Sequence, residues 1–101
     1  MAEKKCAIDL ALASIGGKWK LLVLCKLRIE PVIRFRELRR RIGDISEKVL
    51  ITQLKELEKD GYINRQVYAE VPPRVEYSLT DKGKSLFPVL DSLALWAEDN
   101  F

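Results

Sequence analysis

Hydrophobic residues recur at helical spacing in the segment from Arg34 to Gly61, and the rest of the chain is organised around this segment. In its second half Leu50, Leu54 and Leu57 fall at i, i+4 and i+7, so they share one face of a helix. That face is predicted to pack on the core. The opposite face is left to contact water or to enter the groove of a binding partner. It carries Lys48, Thr52, Lys55 and Lys59, with Ile51 on its flank.

Both ends of this helix are marked. Ser46 is a suitable N-cap, because its hydroxyl accepts a free amide proton of the first turn, and Gly61 suits the C′ position. A shorter amphipathic helix precedes it, with Phe35, Leu38 and Ile42 turned inward, and the pair Gly43-Asp44 makes the turn between the two helices.

Two further helices are predicted at the start of the chain. Ile8, Leu12 and Ile15 repeat at i, i+4 and i+7 before the pair Gly16-Gly17 ends the first. The second begins in the stretch 18–27, and its middle turn, 21–25, is apolar on all sides, which predicts a central, buried position.

Residues 32–33 form a short β-branched stretch after Pro31 and predict one strand. The ranges 62–68 and 75–79 alternate with the period of two and predict a hairpin. Its loop, 69–74, contains two prolines and ends in an arginine. Thr80 is the predicted N-cap of a last helix, which Pro88 is expected to kink or break.

The predicted order is therefore α-α-β-α-α-β-β-α. This α+β, mainly helical order is that of a winged helix-turn-helix, in which the hairpin is the wing. A chain of 101 residues supports one domain, residues 1–101, and 48% hydrophobic with 33% charged residues is ordinary for a globular protein. No apolar run is long enough to cross a bilayer, and the first residues lack the apolar region of a signal peptide, so we expect a cytoplasmic protein without a membrane partner.

The net charge of +3 is unevenly distributed. The stretch 34–41 holds five arginines and one glutamate, a local net charge of +4, which leaves −1 for the rest of the chain. Since one acid cannot pair with five bases, an anionic partner is expected. Lysines on an exposed helix face are often merely solvated. Here an arginine-rich helix and an arginine-tipped hairpin belong to the same side, which favours double-stranded DNA.

The candidate DNA contacts lie on the two central helices and on the hairpin. Arg65 is left open between a DNA contact and an ion pair with Glu76. A rival interpretation is an interaction module that docks an acidic protein on the same basic patch. The candidates are Arg34, Arg36, Arg39, Ser46, Lys48, Ile51, Thr52, Gln53, Lys55, Arg65 and Arg74.

Enzymatic function finds little support in the sequence. There is no histidine and no phosphate-binding glycine loop, and two cysteines are too few for a zinc site, so neither catalysis nor a cofactor is expected. Cys25 lies in the apolar turn and is expected to be a buried, inert thiol. Cys6 follows Lys4 and Lys5, whose ammonium groups would favour a thiolate.

The ordered set of motifs resembles the HxlR-type, MarR-like winged helix-turn-helix transcriptional regulators of bacteria and archaea. The likeness covers nearly the whole chain. It is carried by Cys6, the segment 16–19 (GGKW), the segment 34–38 (RFREL), Ile45-Ser46 with the leucine ridge and Gly61, the segments 71–77 (VPPRVEY) and 79–80 with Gly83, and Trp96.

The resemblance implies a homodimer joined through its first and last helices. It also implies that residues 46–55 enter the major groove and that the Arg74 wing meets the adjacent minor groove. For one branch of the family it implies an N-terminal cysteine, here Cys6, that senses oxidants or electrophiles. Ala7 stands where that branch usually has proline. The candidate dimer residues are Ile8, Leu12, Leu86, Leu90, Leu93 and Trp96.

Overall fold

The computed structural model describes residues 6–101 and has the predicted α+β, winged helix-turn-helix order, with the last helix divided in two. The elements are α1 (Ala7–Ile15), α2 (Lys20–Ile29), β1 (Ile33–Arg34), α3 (Phe35–Ile42), α4 (Glu47–Lys59), β2 (Ile63–Tyr68), β3 (Arg74–Leu79), α5 (Asp81–Lys84) and α6 (Phe87–Asn100).

The three strands form one antiparallel sheet in the order β1-β3-β2. In the hairpin, Ile63 lies opposite Leu79 and Val67 lies opposite Val75. The short strand β1 starts one residue later than predicted and pairs Ile33 with Tyr77. Strand β3 is therefore the central one, and it ties the wing to the segment that leads into α3.

The leucine ridge of α4 is confirmed as the centre of the core. Leu50, Leu54 and Leu57 are almost completely buried, and they pack in one cluster with side chains of α2, α3 and the sheet. The predicted central position of the turn 21–25 is confirmed, because α2 contacts α3, α4 and β3. Val23 and Leu24 are buried, whereas Leu22 is 40% exposed.

The predicted caps of α4 are confirmed. The Ser46 hydroxyl accepts a hydrogen bond of 3.1 Å from the Val49 amide. At the other end the Gly61 amide donates to Glu58 O at 3.0 Å and the Tyr62 amide donates to Leu57 O at 2.9 Å. This is the Schellman arrangement, and it requires the positive φ of +84° that Gly61 adopts.

The predicted break near Pro88 is also confirmed. Thr80 caps α5 by accepting a hydrogen bond of 3.1 Å from the Gly83 amide. Helix α5 ends at Lys84 and α6 begins at Phe87, so Pro88 lies in the first turn of α6, where no intrahelical amide donor is needed. The proline thus starts a helix and does not kink one.

Helix α1 differs from the others because none of its residues is buried. It approaches the body of the domain at its last turn, where Ile15 packs against the core together with Trp19. Across residues 6–101 no helix has the length and apolar character needed to span a membrane.

Candidate nucleic-acid interface

An open groove of about 690 Å³ lies between the outer face of α4, the start of α3 and the wing. Five cationic side chains line it, one each from β1, α3, α4, β2 and β3, so the groove collects charges that are far apart in the sequence. They are Arg34, Arg36, Lys55, Arg65 and Arg74.

The outer face of α4 has the composition that its sequence predicted. Lys48, Thr52 and Lys55 are exposed, and Ile51 is 37% exposed beside them. The Thr52 hydroxyl donates a hydrogen bond of 3.0 Å to the Lys48 carbonyl, which leaves its methyl group free to face outward. Gln53 is half-buried on the flank of the helix. The chain itself covers neither lysine.

The arginines of α3 are less available than the sequence suggested. Glu37 accepts hydrogen bonds from both Arg40 and Arg41, and Arg41 also pairs with Glu30. These bonds lower the pKa of Glu37 from its ordinary 4.5 to about 2. The expectation that one acid cannot serve several of these arginines was therefore wrong for Arg40 and Arg41, because Glu37 bonds to both and Glu30, at the C-cap of α2, adds a second acid for Arg41.

The remaining candidates on α3 and β1 have different partners. Arg39 donates a hydrogen bond of 3.2 Å to the Ile45 carbonyl and braces the turn before α4. Arg34 lies 4.0 Å from the Glu76 carboxylate. Arg36 is exposed, and it makes no ion pair with any residue from 6 to 101. Arg36 is thus the freest cation of this helix.

The wing arginine is held by its own hairpin. Arg74 lies 3.3 Å from Glu70 and 3.4 Å from Glu76, and its guanidinium stacks over the ring of Tyr68 at 4.0 Å. Its Nε faces the Glu76 carboxylate without hydrogen-bond geometry. The spacing of Glu70 and Arg74 by four residues was a signal that the sequence analysis missed.

The ion pair considered between Arg65 and Glu76 does not form. The register of the hairpin places Glu76 opposite Gln66 and places Arg65 opposite Tyr77. Adjacent residues of a strand point to opposite faces of the sheet. Arg65 and Glu76 therefore lie on opposite faces of the sheet. Arg65 is exposed and lines the groove together with Lys55.

The groove also contains carboxylates that sequence reasoning did not assign. Glu47 and Glu58 of α4 and Glu70 of the wing line it together with the cations. The negative groups of an anionic ligand in this groove must therefore lie near the cationic side chains and away from these three carboxylates.

The candidate dimer residues fall into two groups. Ile8 and Leu12 of α1 are 64% and 62% exposed, and Leu93 and Trp96 of α6 are 48% and 57% exposed. Further exposed hydrophobic side chains extend the same helices, namely Leu10, Val89, Leu95 and Phe101.

Leu86 and Leu90, which are also candidate dimer residues, form the second group. Leu90 is 7% exposed and Leu86 packs against the core, so both are used within the subunit. They differ from Leu93 because the first turns of α6 lie on the domain and its later turns extend beyond it.

An ion pair and a stacked ring set the direction of α6. The Arg28 guanidinium at the end of α2 makes two hydrogen bonds with the Asp91 carboxylate and lies 4.5 Å from the ring of Phe87. The bond to Arg28 lowers the pKa of Asp91. Asp91, one of the acidic residues of α6, therefore helps to hold α6 against α2.

Cys6 is exposed at the N-cap position of α1. Lys4 and Lys5, which were expected to favour its thiolate, lie outside the described residues. Cys25 is half-buried and not fully buried as expected, because it lies on a side of α2 that the core only partly covers. Within the described part of the chain no cluster of three or more histidine, cysteine or acidic residues is suited to a metal ion.

Comparison with known proteins identifies the group to which this architecture belongs. The model of the HxlR-like helix-turn-helix family matches residues 14–101. The chain belongs to the HxlR-like family. An HTH-type transcriptional regulator of Methanothermobacter thermautotrophicus is 53% identical over 96 residues, which cover 95% of this chain and 72% of the relative.

Solved structures of transcriptional regulators have the same fold as this chain. The redox regulator HypR in its oxidized form superimposes with a TM-score of 0.85 at 43% identity, covering 95% of this chain and 98% of HypR. The reduced form of the transcriptional regulator YodB from B. subtilis gives a TM-score of 0.82 at 34% identity, covering 97% of this chain and 95% of YodB. This HxlR-like protein is thus a transcriptional regulator with a helix-turn-helix fold.

Proposed function

We propose that this HxlR-like regulator binds an inverted-repeat operator in double-stranded DNA as a homodimer, with residues 1–101 acting as one DNA-binding and dimerisation domain. The observation that carries the proposal is the shared groove, in which the uncovered outer face of α4 meets Arg36 of α3 and Arg65 of the wing. A winged helix-turn-helix places its second helix in the major groove.

Different side chains of α4 suit different parts of the DNA. Lys48 and Lys55 are exposed and suit phosphates or guanine edges, while Ile51 and the Thr52 methyl suit a thymine methyl. Ser46, the N-cap of α4, and Gln53, half-buried on its flank, lie on either side of this set along the helix. The α3 and β1 arginines, Arg34, Arg36 and Arg39, contribute a cationic rim that holds the backbone.

The wing supports a contact on the adjacent backbone or minor groove. Arg65 is exposed and free to reach a phosphate, whereas Arg74 must first leave Glu70 and Glu76. Arg65 therefore provides the stronger wing contact, and Arg74 contributes when its ion pairs open.

Dimerisation rests on the exposed hydrophobic side chains of α1 and α6. These side chains are Ile8 and Leu12 of α1 and Leu93 and Trp96 of α6. Among the described residues, the subunit itself covers about half of each at most. A second copy that covers both helices buries these side chains. The two α4 helices of the dimer then enter successive major grooves about 34 Å apart.

Cys6 is the proposed sensor of an oxidant or electrophile. Its exposed position at the start of α1 and the redox regulation stated for HypR support this role. With a quinone the Cys6 sulfur bonds to a ring carbon, the thiol proton ends on one quinone oxygen and the hydrogen of that ring carbon moves to the other oxygen, giving a hydroquinone thioether. Substitution Cys6→Ser should abolish release of DNA by a quinone, whereas the control Cys25→Ser should not. Equal release from Cys6→Ser and the wild type would rule out the sensor.

The function itself is tested by selecting duplexes from a random pool with the purified protein and measuring their affinity at several salt concentrations. We expect enrichment of an inverted repeat and a steep fall of affinity with ionic strength, because cationic side chains that neutralise phosphates release counterions. No enrichment, together with an affinity that does not respond to salt, would contradict the proposal.

A further inference from the structure

A polar cluster of Ser14, Lys20, Glu56 and Tyr62 links α1, α2 and α4, and none of its members lines the groove. Lys20 is the one charged residue among positions 6–101 that is buried, with 9% of its surface exposed. Its ammonium lies 3.0 Å from the Glu56 carboxylate of α4 and donates a hydrogen bond of 3.4 Å to the Ser14 carbonyl in the last turn of α1. One lysine of α2 therefore joins α1 to α4.

A second contact runs from the same turn of α1. The hydroxyl groups of Ser14 and Tyr62 share a hydrogen bond of 2.7 Å. Tyr62 is buried directly after α4, where its amide donates to Leu57 O at 2.9 Å and its carbonyl accepts from the Thr80 amide at 3.0 Å. Tyr62 is thus the residue at which the end of α4 meets both ends of the wing hairpin.

These contacts hold α4 at two points. Glu56 lies in its second half and Tyr62 just after its end, and both are tied to Ser14, directly or through Lys20. Two attachments on one helix restrict its tilt and rotation as well as its position. Since α1 buries no residue of its own, its placement against the domain depends strongly on this last turn.

We propose that Ser14, Lys20 and Tyr62 are positioning residues that transmit the placement of α1 to the DNA-reading face of α4 and to the wing. None of the three lines the groove, so we expect them to act without touching DNA. The inference rests on the proposed function, and it adds a route by which an event on α1, such as dimerisation or modification, changes the orientation of α4.

The test compares affinity for the selected operator with affinity for a random duplex in the wild type and in Ser14→Ala, Tyr62→Phe and the double variant. Loss of the shared hydrogen bond should lower the operator-to-random ratio by up to about tenfold, because such a bond contributes about 0.5–1.5 kcal/mol and its loss can pass on no more than that to binding. The double variant should match the single variants, and Ser14→Thr, which retains a hydroxyl, should restore the ratio. Ser85→Ala, which loses a hydroxyl bonded to Lys82 O in α5, is the matched control.

The readout separates positioning from simple stabilisation. A lower melting temperature with an unchanged operator-to-random ratio in the folded variants would overturn the inference while the proposed function stands. A wild-type protein that binds no duplex would overturn the proposed function and this inference with it. If Ser14→Ala does not fold, Tyr62→Phe and Ser14→Thr still give the two ratios that decide.

Discussion

The guanidinium of Arg74 lies 3.3 Å from the carboxylate of Glu70, within the same hairpin. The cation nearest the tip of the wing is therefore partly neutralised before any ligand arrives. Glu70 competes with phosphate for Arg74 and also adds negative charge to the groove.

Replacing Glu70 by Gln should strengthen DNA binding. The variant frees Arg74 and removes a like charge from the path of the phosphates, so we expect affinity to rise about two- to fivefold, the size of an exposed ion pair. Fluorescence anisotropy with the selected operator measures this change. Glu98→Gln removes an equal charge from the later part of α6 and should have little effect. A weaker complex with Glu70→Gln would show that the pair holds the wing in its binding form.

Replacing Lys55 by Ala should reduce the salt dependence of binding. Loss of one phosphate contact lowers the slope of log affinity against log salt by about 0.9. Lys84→Ala, which removes the same charge from α5 outside the groove, should leave the slope unchanged. Arg74→Ala should change the slope less than Lys55→Ala, because its charge is already paired. Equal slopes for Lys55→Ala and the wild type would remove Lys55 from the interface.

Ser46 allows the cap of α4 to be separated from DNA binding. Ser46→Ala loses the acceptor for the Val49 amide and should lower the free energy of unfolding by about 1 kcal/mol. Ser46→Asp keeps an acceptor and should preserve stability, but its negative charge at the start of α4 should weaken binding to DNA. Urea unfolding and anisotropy give the two quantities independently. Unchanged stability in Ser46→Ala would show that solvent replaces the cap.

The ion pairs of Glu37 should make stability depend on pH in the acid range. Hydrogen bonds from Arg40 and Arg41 lower its folded pKa from 4.5 to about 2. A lowered pKa means that this contribution is complete above pH 4.5 and is lost as pH falls towards about 2. Thermal unfolding of Glu37→Gln should thus lose less stability than the wild type between these pH values. Parallel curves for the two proteins would contradict the role of Glu37.

Leu93→Glu should dissociate the dimer without unfolding the subunit. Leu93 is 48% exposed, so the charge is tolerated in the monomer but would be buried in the dimer interface. Sedimentation should show a monomer, and affinity for the inverted repeat should fall because two half-sites are no longer bound together. Val67→Glu, at 47% exposure on the wing, is the control for sedimentation. A dimeric Leu93→Glu protein would place the interface elsewhere.

Much of the fold was predictable because its signals are local. The leucine ridge of α4, its caps at Ser46 and Gly61 and the break near Pro88 each depend on residues within a few positions of one another. Helical periodicity and cap chemistry act over that same range. The order of elements followed from them.

The predicted site was less complete where side chains meet partners from distant elements. Arg41 pairs with Glu30, although strand β1 lies between them in the sequence. Arg65 does not pair with Glu76, because the hairpin register places the two side chains on opposite faces of the sheet. Lys20 had no assigned role, since its partners lie in α1 and α4. Counting charges along the chain cannot show such pairings.

By itself the sequence determined which segments are helices, which residues face the core, and that a cationic face lies opposite the leucine ridge of α4. Only the tertiary structure decided which of those cations are neutralised, why Leu90 is buried while Leu93 is exposed, and how Ser14 reaches Tyr62. The physical reason is the separation along the chain over which each kind of interaction acts. Periodicity and caps arise from neighbours in the chain, whereas ion pairing and burial depend on distances that folding creates.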